Sequence, residues 1–291
     1  MPFEIAKPKT LKYAHSNKSN MLLDYVKKLE YKHEIERLNA LKQILQSKKI
    51  KFSEQKYDYM DSHGINLIVD IGSSKKHIIL SAHHDAVYRS PGANDDASGV
   101  AILVDVIEKL KKLKLRNRVR IIFFDDEENG RFGSISYVRN YGLLDLLAVY
   151  HLELCGYGDI IGLWPITKIN KESHALKAIE DILTEKKIYF EEIGQLPVFY
   201  GDDLSFTEAG FTHALSISVA PSEDKESIKK FVKSNVFQIV FDYFTGRIPK
   251  MFQHYHSRED KSDYVSEGTL RMISDALVGT VLKLDKTNPK L

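Results

Sequence analysis

The chain of 291 residues holds one cysteine, Cys155, and one tryptophan, Trp164. A lone thiol excludes an intrachain disulfide framework, so the fold must rest on packing, and the composition suits a reducing compartment. Excess charge is missing too: 42 Lys and Arg face 40 Asp and Glu, for a net charge of +2. The basic residues are spread along helix-like stretches as a solvated face, which argues against nucleic acid as a partner. No run approaches the roughly 18 apolar residues a membrane span needs. The opening Met-Pro-Phe-Glu-Ile-Ala-Lys-Pro-Lys lacks the unbroken apolar core of a secretory signal. The expectation is a cytoplasmic protein with no membrane partner, long enough to bury a substantial core.

From Asn20 to about Ser47, Leu22, Leu23, Val26, Leu29, Ile35, Leu38, Leu41 and Leu45 recur at helical spacing, predicting one long or broken amphipathic helix. Residues 50–71 alternate weakly around Asp61-Ser62-His63-Gly64 and predict a hairpin at a sheet edge. Apolar runs at His77 to Ala82, Arg118 to Phe124 and Leu146 to Leu154 then predict strands. Between them lie a helix from Ala97 to about Leu113 and another opening at Gly133 and Ser134. Further on come a helix over Ser173 to Lys186, a short strand near Ile188 to Glu192 and an irregular stretch through Pro197, Tyr200, Gly201, Asp202 and Asp203. A strand at Leu215 to Val219, a helix from Ser222 to Phe241 and a terminal helix from Ser266 to Leu284 complete the chain. Strand and helix in alternation predict an α/β fold: a single globular domain with a central mixed, mostly parallel β-sheet flanked by helices. We expect residues 1–60 to be a helical segment packed on the core and residues 61–291 to form the catalytic domain.

The chemistry gathers after the strands, where α/β sheets place their sites. Side chains on a strand alternate faces, so His83 and Asp85 point one way and His84 the other. A carboxylate two residues from an imidazole can take one ring N–H and leave the other nitrogen for a metal. The Gly-rich turn at 92–99 delivers Asp95 toward the same spot, ahead of a helix that Asp96 or Ser98 can cap. It lacks the Gly spacing and Lys of a phosphate cradle. Glu127 and Glu128 are adjacent at a strand end, so one can bind a metal while its neighbour moves a proton. Glu153 and His256 follow later segments. Asp95, Glu128 and Glu153 bring three negative charges against the four positive ones of two divalent ions, and a hydroxide would complete neutrality. Two ions sharing Asp95 would sit roughly 3.5–4 Å apart. Imidazole with carboxylate favours Zn2+, with Co2+ or Mn2+ as alternatives.

Ser-Ala-His83-His-Asp85, Pro-Gly-Ala-Asn-Asp95-Asp-Ala-Ser-Gly, Asp-Glu127-Glu128-Asn-Gly-Arg-Phe-Gly-Ser134 and His256-Ser-Arg-Glu-Asp260, in this order and spacing, resemble the M28 family of zinc metallopeptidases. Gly201-Asp-Asp-Leu-Ser-Phe206-Thr-Glu-Ala-Gly210 is a further echo. The resemblance implies His83, Asp95, Glu128, Glu153 and His256 as metal ligands with Asp95 bridging, Glu127 as general base, and Asp85 orienting His83. It departs from the family at 153, where many relatives carry Asp, and at 202–204, where they often carry Ser-Asp-His. The implied function is a metal-dependent aminopeptidase acting on a peptide or aminoacyl substrate. A glutaminyl cyclase-like acyltransferase with one zinc, and a non-catalytic binding protein on a peptidase scaffold, are the alternatives.

Other polar and aromatic residues read more plainly. His84 and His254 are expected to be structural or at the surface, and His63 to sit in a turn. His151, in phase with Glu153, can support it from behind. Asp125 and Asp126 read as a solvated strand end or as acceptors of backbone amides, and Asp260 as a tie for the His256 loop. Cys155, Trp164, Tyr200, Phe206 and Tyr255 read first as core.

Overall fold

The computed structural model describes residues 21–197 and 199–287. An 8-stranded mixed sheet runs through it in the order β1-β2-β4-β3-β5-β8-β6-β7. The strands are β1 (Ser53–Tyr59), β2 (Ser62–Ile71), β3 (His77–His83), β4 (Arg118–Phe124), β5 (Leu146–Leu152), β6 (Ile160–Trp164), β7 (Phe190–Glu192) and β8 (Ala214–Ala220). At the centre β4, β3, β5 and β8 are parallel neighbours. The β1-β2 hairpin joins β4 antiparallel at one edge.

Alternation along the central strands builds both faces of the core. Ile78, Leu80 and Ala82 of β3 and Val119, Ile121 and Phe123 of β4 face one apolar layer. Ile79, Ile122 and Phe124 face the other. The first layer is covered by α1 (Met21–Leu29), α2 (Glu34–Ser47), α3 (Ser98–Leu110), α5 (His174–Glu185) and α9 (Glu267–Thr287). The second lies against α4 (Phe132–Tyr141) and α6 (Asp203–Glu208). Each fully buried Leu, Ile or Val in these layers contributes about 1.5–3 kcal/mol relative to exposure. A third, smaller apolar cluster lies beneath α7 (Lys225–Val232) and α8 (Val236–Phe244) and includes Trp164, Ile193, Phe231 and Phe252.

The differences from expectation have local causes. The helical stretch before the hairpin is two helices, because the chain turns at Tyr31 and Glu34, both at positive φ. The expected helix from Ser222 to Phe241 is likewise divided. A short 3-10 turn precedes α7, and Asn235 restarts the chain by accepting the Gln238 amide at 2.9 Å. Strand β6 was not anticipated; it is five residues long, with Gly162 at its centre, and is followed by Pro165. Helix α6 occupies part of the stretch expected to be irregular, and is only six residues long. Strand β5 stops at Leu152, so Glu153 lies just past its end, although its amide still reaches the Ile217 carbonyl at 3.0 Å.

Candidate metal centre

Parallel pairing sets the carboxyl ends of β3, β4 and β5 on one rim, with His83 directly opposite Phe124. The next few residues of each strand therefore meet there. Asp85, two residues past Ala82-His83, is the organiser. Its Oδ1 lies 3.2 Å from His83 Nδ1, and its two oxygens accept the Glu127 and Glu128 amides at 3.2 and 3.1 Å. One carboxylate thus fixes the ring of His83 and the start of the acidic turn together. His84 points away, with Nε2 on the Ile65 carbonyl at 3.0 Å.

Asp95 arrives on the turn after Gly92, whose φ of 66° suits glycine. Asp260 holds that turn by accepting the Asn94 and Asp95 amides at 2.8 and 3.1 Å. Asp260 therefore ties the Asp95 turn to its own loop, a wider role than a tie for His256 alone. Asp96 accepts the Gly99 amide at 3.0 Å and so serves the start of α3, while Ser98 donates to the Asn94 carbonyl. The two oxygens of Asp95 face different imidazoles. Oδ1 is 3.1 Å from His83 Nε2, and Oδ2 is 3.4 Å from His256 Nε2. Glu153 Oε2 comes within 3.7 Å of His83 Nε2, so its longer arm spans the gap left by the earlier end of β5. Glu128 Oε2 lies 2.8 Å from His256 Nε2. His256 comes from an irregular loop at positive φ rather than from a strand-like segment, and Tyr255 stacks on its ring with centroids 3.6 Å apart.

All five residues expected as ligands thus meet in one cluster, and buried Glu127 lies within electrostatic reach of His83, Glu153 and Glu128. His83, Asp95 and Glu128 each offer a ligand atom, and these lie within 4.8 Å of one another. Burial and the charge of Asp95 push the Glu153 carboxyl up to about 8 and the Glu128 carboxyl up to about 7. Burial raises Glu127 well above the usual carboxyl range, opposed by the charge of His83 and aided by those of Glu153, Asp202 and Glu128. Burial works against ionisation of Asp95 as well, but its hydrogen bond and charge contact with His83 hold it below that range. His83 is pulled upward by Asp85 and Asp95 despite its complete burial.

Such crowding of buried acids is costly without cations. Glu128 Oε1 is buried and accepts no hydrogen bond. Convergent carboxylate and imidazole atoms with an orphaned oxygen fit divalent ions of the zinc type, bound through nitrogen and oxygen.

Behind the ligands, His151 Nε2 faces Glu153 Oε2 at 3.4 Å and its Nδ1 faces Ser81 Oγ at 3.2 Å. Burial lowers its pKa to about 4, so it is a neutral partner that orients Glu153. Asp125 accepts the Ile65 amide, and Asp126 accepts the hydroxyls of Tyr57 and Ser62. Trp164, Phe206 and Cys155 are core, whereas Tyr200 is exposed. Asp202 is fully buried within electrostatic reach of His151, His83 and Glu127. Only the paired acids at 202 and 203 hinted at this in the sequence.

The profile of peptidase family M28 matches residues 66–281. Among curated proteins, aminopeptidase YwaD of Bacillus subtilis is 23% identical over 218 residues, 73% of this chain and 42% of its own length. The chain spans less than half the length of the curated relatives it matches. Among solved structures, BSAP, a zinc aminopeptidase from Bacillus subtilis, superposes with a TM-score of 0.60 at 19% identity, covering 77% of this chain and 51% of that one. Glutaminyl cyclase of Porphyromonas gingivalis superposes with a TM-score of 0.69 at 17% identity, covering 91% of this chain and 98% of that one. With a profile match across most of its length and the sheet those structures share, the chain belongs to peptidase family M28.

Proposed function

We propose that the protein is a metal-dependent aminopeptidase that removes the N-terminal residue from peptides at a dinuclear site. The observation that carries this reading is Asp95, whose two oxygens are turned toward two separate imidazoles. His83, Asp95 and Glu153 would hold one divalent ion and Asp95, Glu128 and His256 a second, with Zn2+ the best match to the donors and Co2+ or Mn2+ the substitutes. Bound there, the ions would polarise the scissile carbonyl and lower the pKa of a water molecule to about 7.

The remaining work falls to the chain itself. Glu127 takes the proton from the attacking water and delivers it to the nitrogen of the departing amine. Asp85 keeps His83 in one tautomer and fixes the backbone from which Glu127 and Glu128 project. Glu153 and its neighbours draw in the free ammonium of the substrate. Beside His256 lies an open cavity of about 380 Å³ lined by Phe199, Phe231, Phe252 and Tyr255 and by Ile239, Val240, Tyr243 and Phe244 of α8. Its aromatic lining suits an apolar N-terminal side chain. The single buried thiol, Cys155, suits a reducing cytoplasmic setting.

Replacing Glu127 with Gln should leave the metal content unchanged and lower turnover of aminoacyl-coumarin substrates by about 10²- to 10⁴-fold. Undiminished turnover would refute the assignment of the base. A glutaminyl cyclase-like acyltransferase is the second reading, favoured by the near-complete coverage of the Porphyromonas gingivalis enzyme. A metal count of one per chain, with cyclisation of N-terminal glutamine, would decide for it.

A further inference from the structure

The family profile begins at residue 66, yet among the described residues the largest fully buried side chain, Arg37, comes from α2. Its relative exposure is 0%. Arg37 Nη2 donates to the Gly92 carbonyl at 2.8 Å, and Nη1 lies 3.4 Å from the Leu29 carbonyl and 3.5 Å from that of Pro91. The approach to Gly92 is close enough that a Cβ there would stand 2.6 Å from Nη1. The amide of Tyr31 adds a bond to the same Pro91 carbonyl at 2.9 Å. Pro91 and Gly92 begin the turn that ends in Asp95.

The same helix pair grips the other loop. Glu30 Oε1 accepts the Ser262 amide at 3.0 Å, just beyond the segment that carries His256. Between the loops, Asp260 accepts the Asn94 and Asp95 amides, and its own carbonyl accepts the Ala93 amide at 3.1 Å. A planar guanidinium suits this place because its fork can serve several carbonyls from a fixed position. It also puts a permanent positive charge under a floor that contains Asp85, Asp95, Asp96 and Asp260.

We infer that Arg37, with Glu30, is a positioning residue for the metal site: the amino-terminal helix pair sets the separation between Asp95 and His256 and thereby the affinity for the ions. Arg37 touches neither substrate nor ligand atoms and acts through the Pro91–Gly92 turn. The inference rests on the proposed metal centre but not on the identity of the substrate.

The test is the zinc dissociation constant of the full chain, measured against a chromogenic chelator, beside the thermal midpoint of the chelated protein. Arg37→Met should weaken zinc binding by about 10- to 100-fold, the range found when groups behind metal ligands are removed. Arg37→Lys, which keeps the charge but replaces the planar fork with a single ammonium nitrogen, should recover part of that loss. Glu30→Ala, which leaves the buried guanidinium alone, should weaken binding by at least about threefold and serves where Arg37→Met does not fold. A purely structural role would lower the thermal midpoint and leave zinc affinity within twofold of the parent; that result in either folded variant overturns the inference. If aminoacyl substrates are not cleaved but zinc affinity falls as described, the clamp stands and only the aminopeptidase reading fails. A parent chain that binds no zinc would overturn both.

Discussion

The strand-end rim and the α7–α8 segment both border His256, and they are built in opposite ways. On the rim, His83, Asp85, Asp95 and Glu153 are buried, and each is held by a neighbour fixed by sheet register or by a tied turn. In α8, Phe237 is 88% and Phe244 82% exposed, and only Ile239 is buried. The rim holds its charged groups in fixed hydrogen bonds, as chemistry at ions demands. The helix offers apolar surface with few fixed contacts, which tolerates change. On the proposed aminopeptidase reading, reactivity and side-chain preference would be set by separate parts of the chain. Loops on a rigid scaffold commonly vary in this way.

The hardest blow to that division would come at the rim. Asp95→Ala should reduce bound metal below the parental count and turnover by at least about a thousandfold, because on the proposed dinuclear reading both ions would lose a shared ligand. Metal analysis and aminoacyl-amide assays check this. A variant that keeps full metal and activity would break the comparison outright.

Removing the metal exposes the rim's charge in a second way. The Glu128 and Glu153 carboxyls are raised to about 7 and about 8 in the folded chain, from an ordinary value near 4.5. The folded protein then holds protons that the unfolded chain has released. The chelated protein should therefore be most stable at about pH 4.5 and below as far as these groups are concerned, and lose that stability as pH rises through 7 to 8. Thermal melts with chelator should show this fall, and added zinc should remove it. A chelated protein that becomes more stable from pH 5 to 8 would contradict the reading of the cluster.

The smallest effect is expected on the helix. Phe244→Ala should change overall stability by no more than about 0.5 kcal/mol. It should lower the preference for leucyl over alanyl substrates by about three- to tenfold in kcat/KM, below the roughly 10- to 200-fold that one methylene is worth in a closed apolar pocket, because Phe244 is largely exposed. An unchanged preference would remove α8 from the substrate pocket and leave the rim to account for selectivity by itself.

Much of the rim was legible because strand chemistry is local. The run from His77 to Ala82 ends in ligands, the run from Arg118 to Phe124 ends in acids, and period-two alternation alone separates His83 from His84. Asp95 was legible through its Gly-rich turn. What stayed hidden depends on distance in sequence. Arg37 reads as one more charge on an amphipathic helix, and nothing nearby says that it enters the core beneath Gly92, 55 residues away. Asp260 looked like a tie for its own loop, whereas its acceptors serve amides 165 and 166 positions earlier. The break between α7 and α8 was missed because Ser234 and Asn235 are compatible with helix as well as with capping, and burial on the sheet did not decide between them.

The most direct test of the account is an anomalous-scattering map at the zinc edge from crystals grown with zinc. The account expects two peaks about 3.5–4 Å apart, one on each oxygen of Asp95, the first against His83 and Glu153 and the second against Glu128 and His256. A single peak, or peaks away from Asp95, would contradict it.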